Sequence, residues 1–203
     1  MTPSQQDRPD SVLLHWRTML DRALEENGDD PAARFFQLAT VGLDGRPANR
    51  TVAFRGFVDG TDWPMVTTDA RTMKAVQVTR DDRGEACWYF AETWEQFRLA
   101  GRVHHIGPDQ PEPQFAQARR VLWAQIPERT QKRFFWPASR MPRASNDAFE
   151  IGDVDLSEPP ESFVVLIIEP HEVDHLCLRP KPPERWLYTL EKNGEWQMRA
   201  VNP

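Results

Sequence analysis

The stretch from Gln37 to Lys74 constrains the chain most. A strand-like run, Gln37 to Val41, leads through Asp44-Gly45 into Arg50-Thr51-Val52-Ala53-Phe54-Arg55, and Asp-Gly between two such runs is a strong hairpin signal. A chain committed to antiparallel pairing this early grows by adding strands beside the hairpin. The expected strands are 35–43, 46–58, 63–68, 85–91 and 97–106. Between the third and fourth, 71–79 reads as a short helix, with Thr72 near its N-terminus and Lys74 in its first turn. Arg50 and Arg55 stand five residues apart on an alternating pattern, so they point to opposite faces unless a bulge intervenes. Thr67, Thr68, Thr72 and Lys74 bring hydroxyls, backbone N–H groups and a point charge to a helix start, where a phosphate dianion is favoured. Arginine adds forked donors to lysine's compact charge. Taken alone, Arg50 also fits a surface arginine on an edge strand.

The chain's 203 residues suit one domain, 1–203. An amphipathic helix is expected over 11–26, capped by Ser11, with Val12, Leu13, Trp16, Met19, Leu20, Ala23 and Leu24 on one face and Asn27-Gly28 as the stop. Residues 108–160 form a helical and loop insertion: helices over 112–124 and 127–135, then a long Pro-, Ser- and Asp-rich loop over 138–161. Strands return in 161–203. Phe163 to Ile168 reads as a buried strand, extended or bulged past Pro170, and 186–190 pairs with 196–201 around Asn193-Gly194.

A net charge of -6 argues against a nucleic-acid partner, which needs a concentrated basic face. No window approaches the ~20 apolar residues of a membrane helix, and Met1 to Asp10 lacks an apolar core, so a cytoplasmic protein is expected. Cys87 and Cys177 lack metal-ligand spacing, and Cys87 reads as a buried free thiol. His104, His105, His171 and His175 form no helical pair backed by a carboxylate, so no metal is expected.

Arg50-x-x-x-x-Arg55, Thr68 followed by Thr72-Met73-Lys74, and Glu95-Gln96-Phe97, in this order, resemble the pyridoxamine 5′-phosphate oxidase-like family of FMN-binding split β-barrels. The likeness runs from Arg34 to about Gly101 and again from about Val173 to Pro203. It is closer to the "pyridoxamine 5′-phosphate oxidase-related, FMN-binding" branch, in which a segment such as Trp136-Pro137 recurs. The resemblance implies a mainly β (α+β) fold, a six-stranded antiparallel split barrel with peripheral helices, forming a homodimer with FMN at the interface. It implies FMN contacts from Arg50, Thr51, Val52, Ala53, Arg55, Thr67, Thr68, Thr72, Met73, Lys74 and Arg185, with Gln96 reaching in from the second subunit.

The chain also departs from the family pattern. Arg55 replaces a lysine near the substrate side of the flavin, and Met73 stands where the oxidases carry a phosphate-contacting arginine, a place Arg71 is positioned to take. Lys181-Pro182-Pro183 replaces an Arg-Leu-His substrate-phosphate motif. Arg185 fits either a flavin contact or an ion pair with Glu184 or Glu191. Trp123, Trp136, Arg133 and Arg140 are candidate walls of a substrate pocket, with core packing the competing role for Trp123. The expected function is FMN-dependent redox chemistry on a small molecule, with no side chain assigned as acid, base or nucleophile. The alternatives are a true pyridoxamine or pyridoxine 5′-phosphate oxidase, and a flavin- or haem-binding protein without turnover.

Overall fold

A computed structural model describes residues 16–203. The first part of the expected N-terminal helix, including Ser11, Val12 and Leu13, lies outside the described residues. From Trp16 to Glu26 the chain is helical (α1), and its buried side, Trp16, Leu20 and Ala23, packs on the main core. Asn27 ends it. Its amide donates to the Ala23 carbonyl and the Thr93 hydroxyl while its oxygen accepts from the Glu92 N–H, fixing α1 to the strands beneath.

Strands β1 (Phe35–Val41) and β2 (Pro47–Phe57) form the expected hairpin, with Gly45 at φ 80° in the turn. A third strand, β3 (Pro64–Asp69), leads into helix α2 (Met73–Arg80), and β4 (Arg83–Phe90) and β5 (Glu95–Ile106) follow. The insertion supplies α3 (Pro113–Gln125) and the short α4 (Glu128–Gln131), which continues as one 3₁₀ turn to Phe135. The long strand β6 (Phe163–Cys177) and the hairpin β7 (Glu184–Leu190) and β8 (Trp196–Val201) complete the chain. All pairings are antiparallel, in the order β3-β2-β1-β4-β5-β6-β7-β8, and β3 also pairs with β6. Six strands therefore close a barrel, as the family resemblance implies, and β7 and β8 extend it.

Strand β6 makes this possible. One edge pairs with β5 along its length, whereas the other pairs with β3 over Phe163–Ile167 and with β7 over Glu172–Cys177. The change of partner coincides with Pro170 and with a register shift in β5 between Ala100 and Gly101. A Cβ added at Gly101 would sit 2.0 Å from the Glu169 carbonyl oxygen, so the close approach of the two backbones depends on this glycine. Gly101→Ala should accordingly cost about 1–3 kcal/mol of stability, as overpacking does. Urea denaturation tests this, and a variant as stable as the parent would refute it.

Alternation along the strands sorts the apolar residues into two cores. Phe36, Leu38, Val52, Phe54, Val66, Trp88, Phe97 and Leu99 fill the barrel, together with Val164, Leu166 and Ile168. Phe163, Val165 and Ile167, the other face of β6, pack outside the barrel with Met65, Ile106, Phe115, Leu122 and Trp123. The unbroken apolar run 163–168 is thus a strand buried on both faces, with the insertion covering its outer side. Trp123 belongs to this second core, its indole N–H donating to the Leu156 carbonyl at 2.8 Å. Cys87 corrects the sequence reading. Because it alternates with the buried Ala86 and Trp88, it lies half-buried on the outer face of β4, where burial raises its thiol pKa.

Candidate functional site

Arg50 projects from β2 on the same face as the inward-facing Val52 and Phe54. It sits opposite Leu38 in the β1 register, and Thr40 lies two residues further along the same face. Its guanidinium donates to the Leu38 carbonyl at 3.0 Å, to the Thr40 hydroxyl at 2.6 Å and to the Gln77 side-chain oxygen at 2.8 Å. The Thr40 hydroxyl donates in turn to that same oxygen of Gln77, also at 2.8 Å.

Lys74 enters from α2, whose N-cap is Thr72 and whose first two residues are Met73 and Lys74. Because lysine only donates and a carbonyl only accepts, the bond directions here are fixed. Lys74 donates to Thr68 at 3.1 Å, Thr68 donates to Thr72 at 3.1 Å, and Thr72 donates to the Asp69 carbonyl at 2.7 Å. Thr72 makes no side-chain cap to the helix, so it leaves the first-turn N–H groups to other acceptors.

The Asp69 carboxylate does not neutralise Lys74 by contact. It is held bidentate by Arg71, at 2.9 and 2.6 Å, and Arg71 also donates to the Phe134 and Trp136 carbonyls. Arg71 is therefore not free to replace the arginine missing at Met73. Instead it ties the start of α2 to the Trp136 segment. Among the described residues no carboxylate forms an ion pair with Arg50 or Lys74. Burial lowers the Arg50 pKa, and burial together with the Arg50 charge lowers that of Lys74 against a smaller opposing pull from Asp69. Two mutually repelling cations, Lys74 in the first turn of α2 and Arg50 against Gln77 one turn further on, each held by neutral acceptors, are arranged to receive an anion.

Arg55 occupies the opposite face, as its spacing from Arg50 predicts. Alternation after the inward-facing Phe54 turns Arg55 outward, and a β-bulge between Phe54 and Phe57, with Gly56 at φ 102°, then returns Phe57 to the barrel core. There it borders a cavity of about 320 Å³ between β2, β3 and α3, lined also by Met65, Gln114, Gln117, Val121 and Gln125. The Arg55 Nε–H is buried and has no hydrogen-bond partner. Of the tryptophans and arginines expected to wall a pocket, Trp123, Arg133, Trp136 and Arg140, none borders this cavity. Trp136 donates to the Phe149 carbonyl and stacks under Arg133.

Gln96 and Arg185 lie elsewhere. Gln96 alternates with the buried Glu95 and Phe97, so it faces outward from β5 and accepts a weak hydrogen bond from Cys87 at 3.7 Å. Arg185 forms an ion pair, but with Asp174 rather than with Glu184 or Glu191, at 2.9 and 2.6 Å. Asp174 also pairs with Arg98, and Arg98 with Glu85, giving a ladder of alternating charge across β4, β5, β6 and β7. Thr51 and Ala53 face outward on β2, Val52 is in the core, and Thr67 alternates with the inward-facing Val66 and Thr68.

Thr40, Gln77 and the α3 glutamines were not anticipated. The signal for Gln77 was present, since it lies three residues after Lys74 on one helix face. That for Thr40 required the β1–β2 register.

A family model described as the FMN-binding domain of pyridoxamine 5′-phosphate oxidase matches residues 13–107. "Pyridoxine/pyridoxamine 5′-phosphate oxidase 2" of Arabidopsis thaliana is 34% identical over 193 residues, covering 93% of this chain and 96% of that protein. The chain belongs to this family. Among solved structures of the family, a pyridoxamine 5′-phosphate oxidase-related, FMN-binding protein from Nostoc punctiforme superposes with a TM-score of 0.89 at 38% identity, over 100% of both chains. PhzG from Burkholderia lata, at 18% identity and a TM-score of 0.76 over 100% of this chain and 98% of its own, shares the fold. No helix among the described residues is long and apolar enough to cross a membrane.

Proposed function

We propose that the protein is an FMN-dependent oxidoreductase acting on a small molecule. The observation that carries this reading is the electrostatic coupling of Arg50 and Lys74, both held against α2, with no carboxylate among the described residues ion-paired to either. In this reading Arg50, Lys74 and the Met73 N–H hold the FMN phosphate, with the Thr68 and Thr72 hydroxyls turning from their relay to donate to it, while Thr51, Val52, Ala53 and Thr67 contact the rest of the cofactor. FMN supplies the hydride chemistry, and the protein supplies binding and orientation. Arg55, with its unpartnered Nε–H beside the α3 cavity, addresses the reacting molecule.

The same reading calls for a homodimer. The resemblance places Gln96 and Arg185 around the flavin, yet in one chain they lie on the outer face, away from the Arg50–Lys74 pair. A second copy would unite the two sets of residues.

A second reading, that of a pyridoxine/pyridoxamine 5′-phosphate oxidase, is favoured by the name of the Arabidopsis relative. Both readings require FMN and differ in substrate.

Titration of the flavin-free protein with FMN and with riboflavin, alongside light scattering, tests the cofactor and the dimer. FMN should bind more tightly, to a dimer. Its affinity should rise as the phosphate gains its second charge near pH ~6. It should fall again, more steeply than that of riboflavin, as Lys74 loses its proton below the ordinary value near 10.5. A depressed lysine pKa means that the unfolded chain holds the proton more tightly. The flavin-free fold should therefore gain stability as pH rises through that same interval. Equal affinity for the two flavins would remove the phosphate assignment, and tight FMN binding by a monomer would remove the dimer.

A further inference from the structure

Both cations of the site are held entirely by neutral acceptors. Lys74 leans on a relay of two threonine hydroxyls that ends on a carbonyl. Arg50 is held at its two terminal nitrogens by Leu38, Thr40 and Gln77. Gln77 closes this second arrangement. It is only 7% exposed, and its side-chain oxygen accepts from both Arg50 and Thr40. The orientation of its amide is unambiguous, since an arginine can only donate and therefore faces the oxygen.

We propose that Gln77 is the positioning residue that lets Arg50 discriminate a phosphorylated flavin from an unphosphorylated one. The inference rests on the FMN reading above and extends it to a residue with no assigned role. Two consequences follow from the chemistry of an amide at this point. It fixes the plane of the guanidinium, so that little side-chain freedom remains to be lost when a phosphate binds. It also adds no negative charge, so the two positive charges of Arg50 and Lys74 stay available. A carboxylate in the same place would sit within hydrogen-bond distance of Arg50, pair with it and cancel one of the two charges before any phosphate arrived. Neutrality at this position is thus as important as the hydrogen bond. Thr40 supports the arrangement by donating to the same oxygen, which keeps that oxygen aimed at Arg50.

The test compares flavin-free parent, Gln77→Glu and Gln77→Met by fluorescence titration with FMN and with riboflavin, at two salt concentrations. The glutamate variant should bind FMN about ten-fold or more weakly, with riboflavin affinity unchanged and the salt dependence of FMN binding reduced. The methionine variant keeps the neutrality but loses the acceptor, and should weaken FMN binding by roughly three-fold to ten-fold. Riboflavin binding serves in each case as the control for an intact fold. Should the glutamate variant fail to fold, the methionine variant decides alone, and an unchanged preference for FMN over riboflavin would overturn the proposal. A parent with no such preference would defeat the phosphate reading itself. A parent that prefers FMN alongside a glutamate variant that keeps the ratio would defeat only the role given to Gln77.

Discussion

Removing both Arg50 and Lys74 should weaken FMN binding by about two to three decades while leaving riboflavin binding nearly intact. Each charge-assisted contact to a phosphate contributes roughly 1.5–3 kcal/mol, so either alanine substitution alone should cost about one to two decades. The two effects should not simply add. Each cation raises the cost of the other, since the Arg50 charge adds to burial in lowering the Lys74 pKa, and removing Arg50 relieves that part of the cost. The flavin-free double variant should in turn unfold within about 1 kcal/mol of the parent. Arg50→Ala deprives the Leu38 carbonyl and Gln77 of a donor, but it also removes a partly buried charge that no carboxylate offsets. Stability would then be balanced against function at this site. Isothermal titration with both flavins, beside urea denaturation of the flavin-free proteins, separates the two effects. Unchanged FMN affinity in the double variant would show that the phosphate sits elsewhere.

Local patterns made much of this architecture legible before any coordinates. The Asp44-Gly45 hairpin, the helix after Thr72 and the apolar run 163–168 follow from turn chemistry, capping and hydrophobic pattern; the hairpin strands and the helix lie within two residues of their expected bounds, and the run opens β6, which continues past Pro170 to Cys177. The opposite facing of Arg50 and Arg55 followed from strand periodicity, even though Gly56 bulges the strand immediately afterwards. What stayed illegible depends on register between distant strands. Along the chain Arg185 has Glu184 and Glu191 near it, yet it meets Asp174, because β6 and β7 bring Leu176 opposite Arg185 and so place Asp174 two residues along on the same face. Arg71 looked available for a phosphate because sequence alone could not show its grip on Asp69 or its reach to the carbonyls of Phe134 and Trp136. The outward setting of Cys87 has a more local origin. Parity within β4, rather than the apolar character of the run, decides which side chains enter the barrel. The change of partner along β6 is read only from the pairing, although Pro170 and Gly101 mark its place.

With FMN bound, the protein should oxidise pyridoxamine 5′-phosphate about one to four decades less efficiently than a dedicated oxidase. That substrate brings its own dianionic phosphate, and burying such a charge requires matching donors. The oxidase motif Arg-Leu-His reads Lys181-Pro182-Pro183 here, which removes a bidentate fork and an imidazole. Lys181 is exposed, and the two prolines have no backbone N–H to offer. Arg185 cannot readily stand in, because its guanidinium is held bidentate by Asp174 and would have to leave a mostly buried carboxylate behind. Arg119, on the helix beside the cavity, is likewise engaged, donating to the carbonyls of Phe163, Pro159 and Pro160. Arg55 is the one arginine bordering the cavity, and it shares the lining with Asp59, glutamine amides and apolar side chains. Such a lining suits a smaller or less charged molecule than a phosphate ester. Loss of one or two charge-assisted contacts at ~1.5–3 kcal/mol each gives the expected range, provided that the contacts persist in the transition state. Lys181→Arg with Pro183→His should recover only part of the difference, since the α3 side of the cavity is unchanged. Oxygen consumption with pyridoxamine 5′-phosphate, measured on protein whose FMN content is known, decides the matter. Turnover equal to that of a dedicated oxidase would establish the vitamin B6 reading that the Arabidopsis relative's name suggests, and would require a phosphate site built from residues other than those of the lost motif.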